Sequence, residues 1–203
     1  MKGLLKKDVR MILRTSWPFF PVCVVFLGMS LLSEENLSFL ALPVLISGIL
    51  PVTALSYDER SHWLEFCGTL PVSRAQFVSA KYLLGLICMA APVVVAGVLH
   101  RFAGQYPPAM LPGMLGGALG AGLLVSGFSM PMMFKLGVEK GRLWYYLMLV
   151  IIGGSAGFLS GLETKDLSLA TGSGSIWLIL LVGAGLYAAS WLLSIRLYQN
   201  REF

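Results

Sequence analysis

Long apolar segments alternate with short charged stretches along the whole chain. There are six apolar segments without Asp, Glu, Lys or Arg, and they cover residues 17–32, 37–57, 82–100, 109–134, 143–162 and 174–195. A helix needs roughly 20 apolar residues to cross a bilayer. The first segment is the shortest, and Met11, Ile12 and Leu13 would extend it. Because the segments are too continuously apolar for alternating barrel strands, the pattern predicts an all-α integral membrane protein with six transmembrane helices.

The lysines and arginines are distributed unequally over the two sides of these predicted spans. Thirteen of them lie near the two ends of the chain and in the second and fourth connections, whereas the other side has only Arg101 and Lys165. Lys and Arg are enriched in cytoplasmic loops. The distribution therefore predicts that both termini and the second and fourth connections are cytoplasmic.

Composition agrees with a membrane protein and argues against other classes. The chain is 57% hydrophobic and only 12% charged, compared with about 25% charged residues in soluble domains. The net charge of +5 is dispersed between the apolar segments, which does not favour nucleic acid as a partner. We interpret residues 1–203 as a single transmembrane domain. Cys23, Cys67 and Cys88 lack metal-type spacing, and we interpret them as packing residues.

An amphipathic pattern precedes the first span. Leu5, Val9 and Ile12 recur at helical spacing among lysines and arginines. The pattern predicts an interfacial helix with its apolar side in lipid and its basic side on anionic headgroups. The alternative is a positively charged flank that only sets the topology.

Small residues recur every fourth position in the fourth and fifth spans. They form three series: Gly113, Gly117 and Ala121; Gly116 and Gly120; and Gly153, Gly157 and Gly161. Small residues on one helix face allow close helix approach in membranes. The series could form a dimer interface or a sliding helix surface, and packing within the chain is an equally good interpretation.

The sequence indicates neither catalysis nor ion coupling. No ionisable residue lies near the middle of a predicted span, and the phosphate-binding motif GxxxxGK[ST] is absent from the sequence. Ser155, in the run GGSA, resembles a nucleophile turn, but the two histidines, His62 and His100, offer it no base in a plausible position. We therefore predict no catalytic residues and no metal site, and expect any energy source to be another chain.

The connection between the second and third spans, Tyr57 to Lys81, is the most informative cytoplasmic segment. Residues 61–67 can form a short amphipathic helix that presents Trp63 and Phe66, and Gly68 would end it. Ser73 is placed to cap a second helix that continues into the third span. Such a helix could dock in a groove on a partner. An interfacial helix that only anchors the connection is the alternative.

At this connection the chain resembles a known family. The similarity rests on residues 6–10 (KKDVR), 57–63 (YDERSHW) and 69–74 (TLPVSR), followed by Lys81 and Tyr82. These runs, in a layout of six spans, look like the permease subunits of ABC-2-type ABC transporters in their small bacterial branch. The resemblance implies a multi-pass protein of the bacterial cytoplasmic membrane.

The resemblance also implies partners and contact residues. Two permease copies or homologues would pair with two cytoplasmic ABC ATPase subunits, which would hold the ATP and magnesium, so this chain would carry no cofactor. The loop after the second span would be the coupling helix, with Ser61, Trp63, Glu65, Phe66, Leu70, Pro71, Val72, Ser73 and Arg74 as the ATPase-coupling residues. A secondary cytoplasmic contact would comprise Lys135, Glu139, Lys140 and Arg142.

The function that follows is a non-enzymatic permease subunit of an ATP-driven exporter of hydrophobic or amphipathic cargo, peptides included. Two alternatives remain at this stage: a membrane immunity or binding protein that does not transport, and an intramembrane enzyme. The sequence leaves open the cargo, the residues that line its path, and whether the dimer is a homodimer or a heterodimer.

Overall fold

The computed structural model describes residues 2–32, 38–61, 63, 66, 73–103, 111–161 and 173–199. Over these ranges the chain is helical and contains no β-strand. The helices, in chain order, are α1 (Lys2–Thr15), α2 (Phe19–Leu32), α3 (Ser38–Ser47), α4 (Leu50–Arg60), α5 (Arg74–Ala103), α6 (Leu111–Leu136), α7 (Val138–Gly161) and α8 (Ser173–Gln199).

The prediction of six spans is confirmed in part. Within the described ranges, four stretches are long and apolar enough to cross a membrane: Phe39–Arg60, Arg74–Ala103, Leu111–Leu136 and Trp177–Gln199. They correspond to the predicted second, third, fourth and sixth spans. The predicted fifth span falls in α7, where the side chains of residues 152–153 and 155–161 lie outside the described part of the chain.

The predicted first span differs most from the structure. Met11, Ile12 and Leu13, which were predicted to extend it, lie on α1, which ends at Thr15, and α2 then leaves at an angle of 77° to α1. Pro18 lies at this bend, and a proline can neither donate a backbone hydrogen bond nor continue a preceding helix without a clash. The bent pair could count as a fifth span.

Helix α1 is amphipathic as predicted, but its most buried side does not face lipid. Leu4 and Ile12 are buried, and Ile12 packs with Leu50, Ala54 and Leu84 of α4 and α5. The prediction that the apolar side lies in lipid is therefore wrong for this face. The physical reason is that α4 and α5 offer an apolar surface against which this face of α1 packs.

Helix α6 lies at the centre of the bundle and packs against α8, α7, α3 and α5. Its contact with α8 is close because two glycines meet: a Cβ added to Gly183 would lie 2.7 Å from the Gly120 carbonyl oxygen. A Cβ on Gly120 would in turn lie 3.0 Å from the backbone of Ile179. Gly120, one member of the α6 series, therefore serves packing within the chain. The series in α7 lies outside the described side chains.

Polar side chains join α5 to α8 inside the bundle. Tyr82 shares hydrogen bonds with the hydroxyls of Ser190 and Ser194, at 2.8 and 2.7 Å. Tyr187 donates to the Tyr82 carbonyl oxygen at 2.8 Å, and Trp191 donates to Ser79 at 3.0 Å. Because buried polar groups need partners, this network restricts how α5 can lie against α8.

Large apolar side chains remain exposed on the outer faces of the bundle. On α8 they include Trp177, Leu178, Leu181 and Leu192, and similar faces occur on α2, α5 and α7. Soluble monomers rarely expose contiguous apolar surface on this scale. The faces fit a bundle that is embedded in a membrane.

Candidate functional site

Several helix ends meet at one end of the bundle, which we name the basal end: α4 finishes there at Arg60 and α5 begins there at Arg74. Glu59 Oε2 accepts a hydrogen bond from the Val138 backbone N–H at 3.2 Å, which brings the beginning of α7 to this end. Arg74 Nη1 donates to the Gln199 carbonyl oxygen at 2.9 Å and so brings the end of α8 there too. The second connection, the fourth connection and the end of α8, all predicted to be cytoplasmic, thus lie at the same end of the bundle. That this end faces the cytoplasm stays a prediction.

Four charged side chains form what we call the ion cluster: Lys7 and Asp8 on α1, Asp58 on α4 and Lys81 on α5. Lys81 Nζ donates to Asp58 Oδ2 at 2.5 Å and to Asp8 Oδ2 at 2.7 Å. Lys7 Nζ donates to Asp58 Oδ1 at 2.6 Å and lies 3.2 Å from Asp8 Oδ1. Each lysine contacts both aspartates. These contacts between opposite charges link α1, α4 and α5.

The cluster is buried, and burial determines its energetic role. Lys81 and Asp8 are each 1% exposed and Asp58 is 2% exposed, whereas the Lys7 side chain keeps 30% of its surface. Burial of an ion costs several kcal/mol unless opposite charges and hydrogen bonds compensate it, and removal of one partner costs about 3–5 kcal/mol. The two positive and two negative charges balance, so removal of a single member leaves a buried charge without its full compensation.

Trp63 connects the ion cluster to the predicted coupling helix. Lys7 Nζ lies 4.3 Å from the centroid of the Trp63 ring, a cation–π geometry. The Phe66 ring packs on Trp63 with 5.3 Å between centroids, and Phe66 remains exposed. A displacement of this aromatic pair would therefore act directly on Lys7, through Asp58 on α4, and through the Asp58–Lys81 contact on α5.

The predicted cap of the second helix is confirmed. The Gln76 backbone N–H donates to Ser73 Oγ, and the Ser73 backbone N–H donates to Gln76 Oε1, both at 3.2 Å. This reciprocal pair is a capping box, which satisfies two amide groups that the first helical turn would leave free. It sets the beginning of α5 at Arg74, so the connection between α4 and α5 is residues 61–73, shorter than the predicted Tyr57 to Lys81.

The predicted secondary contact lies beside this connection. Gly137 ends α6 with a positive φ of 84°, which favours glycine, and α7 begins at Val138 against Glu59. Lys135, Glu139 and Lys140 are exposed, and the Arg142 side chain is half-buried. Residues of the α6–α7 turn and of the end of α4 line a polar cavity of about 360 Å³. The described residues of the predicted coupling set and of the predicted secondary contact thus lie at the same end of the bundle.

The structure describes part of the predicted coupling set. Ser61, Phe66, Ser73 and Arg74 are exposed at the basal end, and Trp63 is half-buried on Lys7. Glu65, Leu70, Pro71 and Val72 lie outside the described residues. The roles assigned to all of these residues stay predictions.

Sequence reasoning missed the ion cluster. Apart from the resemblance, it counted Lys7 and Lys81 as positive charges that set the topology, and it gave Asp8 and Asp58 no role. One signal was available: Asp8 is the only acidic residue before Glu34, inside a strongly basic stretch. An acidic group at such a position needs a structural partner, but hydropathy does not identify that partner.

Comparison with known proteins identifies one family. The family described as ABC-2 family transporter protein matches residues 3–199, which include the whole ion cluster and both predicted contact segments. No curated protein and no solved structure matches the chain.

Proposed function

Because the chain belongs to the ABC-2 family of transporter proteins, we propose that it is the permease subunit of an ATP-driven exporter of hydrophobic or amphipathic cargo, peptides included. Membership makes it a membrane-embedded transport permease and implies an associated ABC ATPase. In the proposal, a separate cytoplasmic ATPase subunit binds and hydrolyses ATP, the basal end faces the cytoplasm, and two permease subunits form the transport unit.

The ion cluster is the structural observation that supports the proposal that a partner ATPase drives the permease through the connection between α4 and α5. The connection over residues 61–73, which we name the docking segment, leaves α4 at Arg60, close to Asp58, and enters α5 at Arg74, two helical turns before Lys81. Asp58 and Lys81 are joined at 2.5 Å, and Lys7 lies between them and Trp63. A force applied by a partner to the docking segment would therefore move α1, α4 and α5 together rather than deform a flexible loop.

The apolar character of the bundle supports the class of cargo. In the described ranges, the buried acidic and basic side chains are Asp8, Asp58 and Lys81, which are paired with one another in the ion cluster, and His100, which lies near the end of α5. Ion-coupled transporters usually carry such groups inside the membrane, along the path of the ion. Apolar walls suit amphiphiles better than ions, and the short connections opposite the basal end suit a compact exporter.

The test reconstitutes the permease with the ABC ATPase that co-purifies from its native membrane in mild detergent, and measures ATP hydrolysis and cargo movement in proteoliposomes. Trp63→Ala should lower coupled transport roughly tenfold or more, because hot-spot aromatics carry about 2 kcal/mol or more at an interface. Trp177→Ala is the matched control, since Trp177 lies in the first two turns of α8, far from the basal end, and is 47% exposed.

Other outcomes would favour the alternatives. Full activity in a preparation that contains no ATPase, unaffected by replacement of Leu70 and Pro71, would support an immunity or binding protein. Loss of activity on Ser155→Ala alone, with Trp63→Ala unaffected, would support an intramembrane enzyme. Wild-type transport by Trp63→Ala in the reconstituted complex would contradict the role of the docking segment.

A further inference from the structure

An apolar cavity of about 330 Å³ lies beneath the bend between α1 and α2. Its walls come from these two helices and from α3, α4 and α5, and the only hydroxyl among its lining residues belongs to Ser47. That hydroxyl already donates to the Pro43 carbonyl oxygen at 2.7 Å. The cavity therefore offers apolar surface and no free polar anchor, which suits a hydrocarbon chain.

The cavity opens to the apolar outer surface of the bundle. Several of its lining side chains are exposed at its edge, including Leu13 at 54%, Val24 at 66% and Ile87 at 47%. Its volume lies at the lower end of the range of about 300–1,000 Å³ for small-molecule sites. A single acyl chain could enter from the bilayer without crossing the protein core.

Positive charge lies beside the opening. A second surface groove, on α1, is lined by Lys6 and Arg10 and shares Val9 and Leu13 with the apolar cavity. Lys6 and Arg10 are both exposed and are one helical turn apart. Apolar and cationic surfaces that meet in this way complement a molecule with one hydrocarbon chain in the cavity and an anionic headgroup on α1.

We propose that this cavity and groove form a binding site for an anionic phospholipid of the adjacent leaflet. The lipid fills the space beneath the 77° bend and holds α1 against the bundle through its headgroup. This site is independent of ATP-driven export, because binding requires only the chain and the lipid. A cargo amphiphile is the competing occupant.

The test uses purified protein in mild detergent, titrated with dioleoylphosphatidylglycerol or dioleoylphosphatidylcholine and observed by native mass spectrometry. The anionic lipid should bind as one copy per chain, roughly tenfold or more tightly than the zwitterionic lipid, because each nearby Lys or Arg favours an anionic surface. Lys6→Gln with Arg10→Gln should abolish the preference. Lys135→Gln with Lys140→Gln is the control, since it removes the same charge from exposed positions at the basal end.

A cavity-filling variant tests the acyl-chain half of the proposal. Ala91 lines the cavity and is exposed at its edge, so Ala91→Phe should fill the space without disturbing the core. It should weaken lipid binding, whereas Val94→Phe, an exposed position on the same helix that does not line the cavity, should not. Equal lipid binding by both variants would overturn the site.

Two native cysteines allow lipid binding to be measured on the unmodified protein, without any substitution. Cys23 and Cys88 line the cavity, and Cys67 in the docking segment serves as an internal reference. Phosphatidylglycerol should slow the reaction of N-ethylmaleimide with Cys23 and Cys88 several-fold relative to Cys67, and phosphatidylcholine should not. Equal protection by both lipids, or a co-purified amphiphile that phosphatidylglycerol fails to displace, would overturn the lipid assignment.

Discussion

Lys81 Nζ lies 2.5 Å from Asp58 Oδ2, although the two residues are 23 positions apart and belong to different helices. The docking segment lies between them in the chain, so this contact joins the helix that precedes the segment, α4, to the helix that follows it, α5. Both side chains are almost fully buried. The base of the docking segment is therefore held by charges that water does not screen.

The first prediction concerns the balance of the ion cluster. Lys81→Met leaves Asp8 and Asp58 with Lys7 as their one cation in the cluster, and should lower stability by about 3–5 kcal/mol because a buried charge loses its partner. Addition of Asp8→Asn leaves one lysine and one aspartate, so the double variant should be more stable than Lys81→Met alone. The midpoint of thermal unfolding in detergent measures both.

Lys135→Met is the control for the loss of a lysine, since Lys135 is exposed at the same end of the bundle. It should shift the midpoint little, because surface substitutions usually change stability by less than about 0.5 kcal/mol. Independent, additive losses in the double variant would contradict the cluster, because coupled residues in contact deviate from additivity.

The second prediction concerns docking. Arg74 is exposed at the beginning of α5, and Arg74→Glu should lower ATP-coupled transport roughly tenfold or more if it meets acidic groups on the ATPase, because like charges across an interface cost several kcal/mol. Charge reversal at Glu65 should act in the same way. Arg74→Glu also removes the exposed hydrogen bond to the Gln199 carbonyl oxygen, so its stability in detergent should fall by about 1 kcal/mol or less.

Arg101→Glu is the matched control for Arg74→Glu. Arg101 is also exposed and lies near the opposite end of α5. Equal loss of coupled transport in both variants would indicate a general effect of charge on the permease, and the assignment of Arg74 to the ATPase contact would then be wrong.

The third prediction concerns the contact of α6 with α8. Gly183→Ala places a methyl group 2.7 Å from the Gly120 carbonyl oxygen, and should destabilise the bundle by about 1–3 kcal/mol through overpacking. Gly185→Ala on the same helix meets nothing within 4 Å. It should be neutral or stabilise by up to about 1 kcal/mol, because alanine has the higher helix propensity. Unchanged unfolding of Gly183→Ala would refute this packing.

The fourth prediction concerns the polar network between α5 and α8. Tyr82→Phe removes the hydroxyl that bonds to Ser190 and Ser194, and should cost about 1–3 kcal/mol because buried polar groups lose their partner. Tyr146→Phe, at a side chain that is 49% exposed, should cost less than about 0.5 kcal/mol. Similar unfolding midpoints for the two variants would contradict a stabilising role for the Tyr82 hydroxyl.

Much of the architecture could be predicted because hydropathy and capping act locally. The four long spans, the amphipathic α1 and the Ser73 cap each depend on residues within a few turns of one another. The angle between α1 and α2 and the side on which α1 packs could not be predicted in the same way. Both depend on surfaces that exist only after distant helices have come together.

The sequence by itself determined that the chain is a helical membrane protein, and the resemblance near residues 57–81 already indicated its family. Only the tertiary structure decided that Lys81 pairs with Asp8, 73 residues away, and that Gly120 meets Gly183. The physical reason is that burial of apolar segments depends on local composition, whereas ion pairing and close helix contact depend on which segments become neighbours in space.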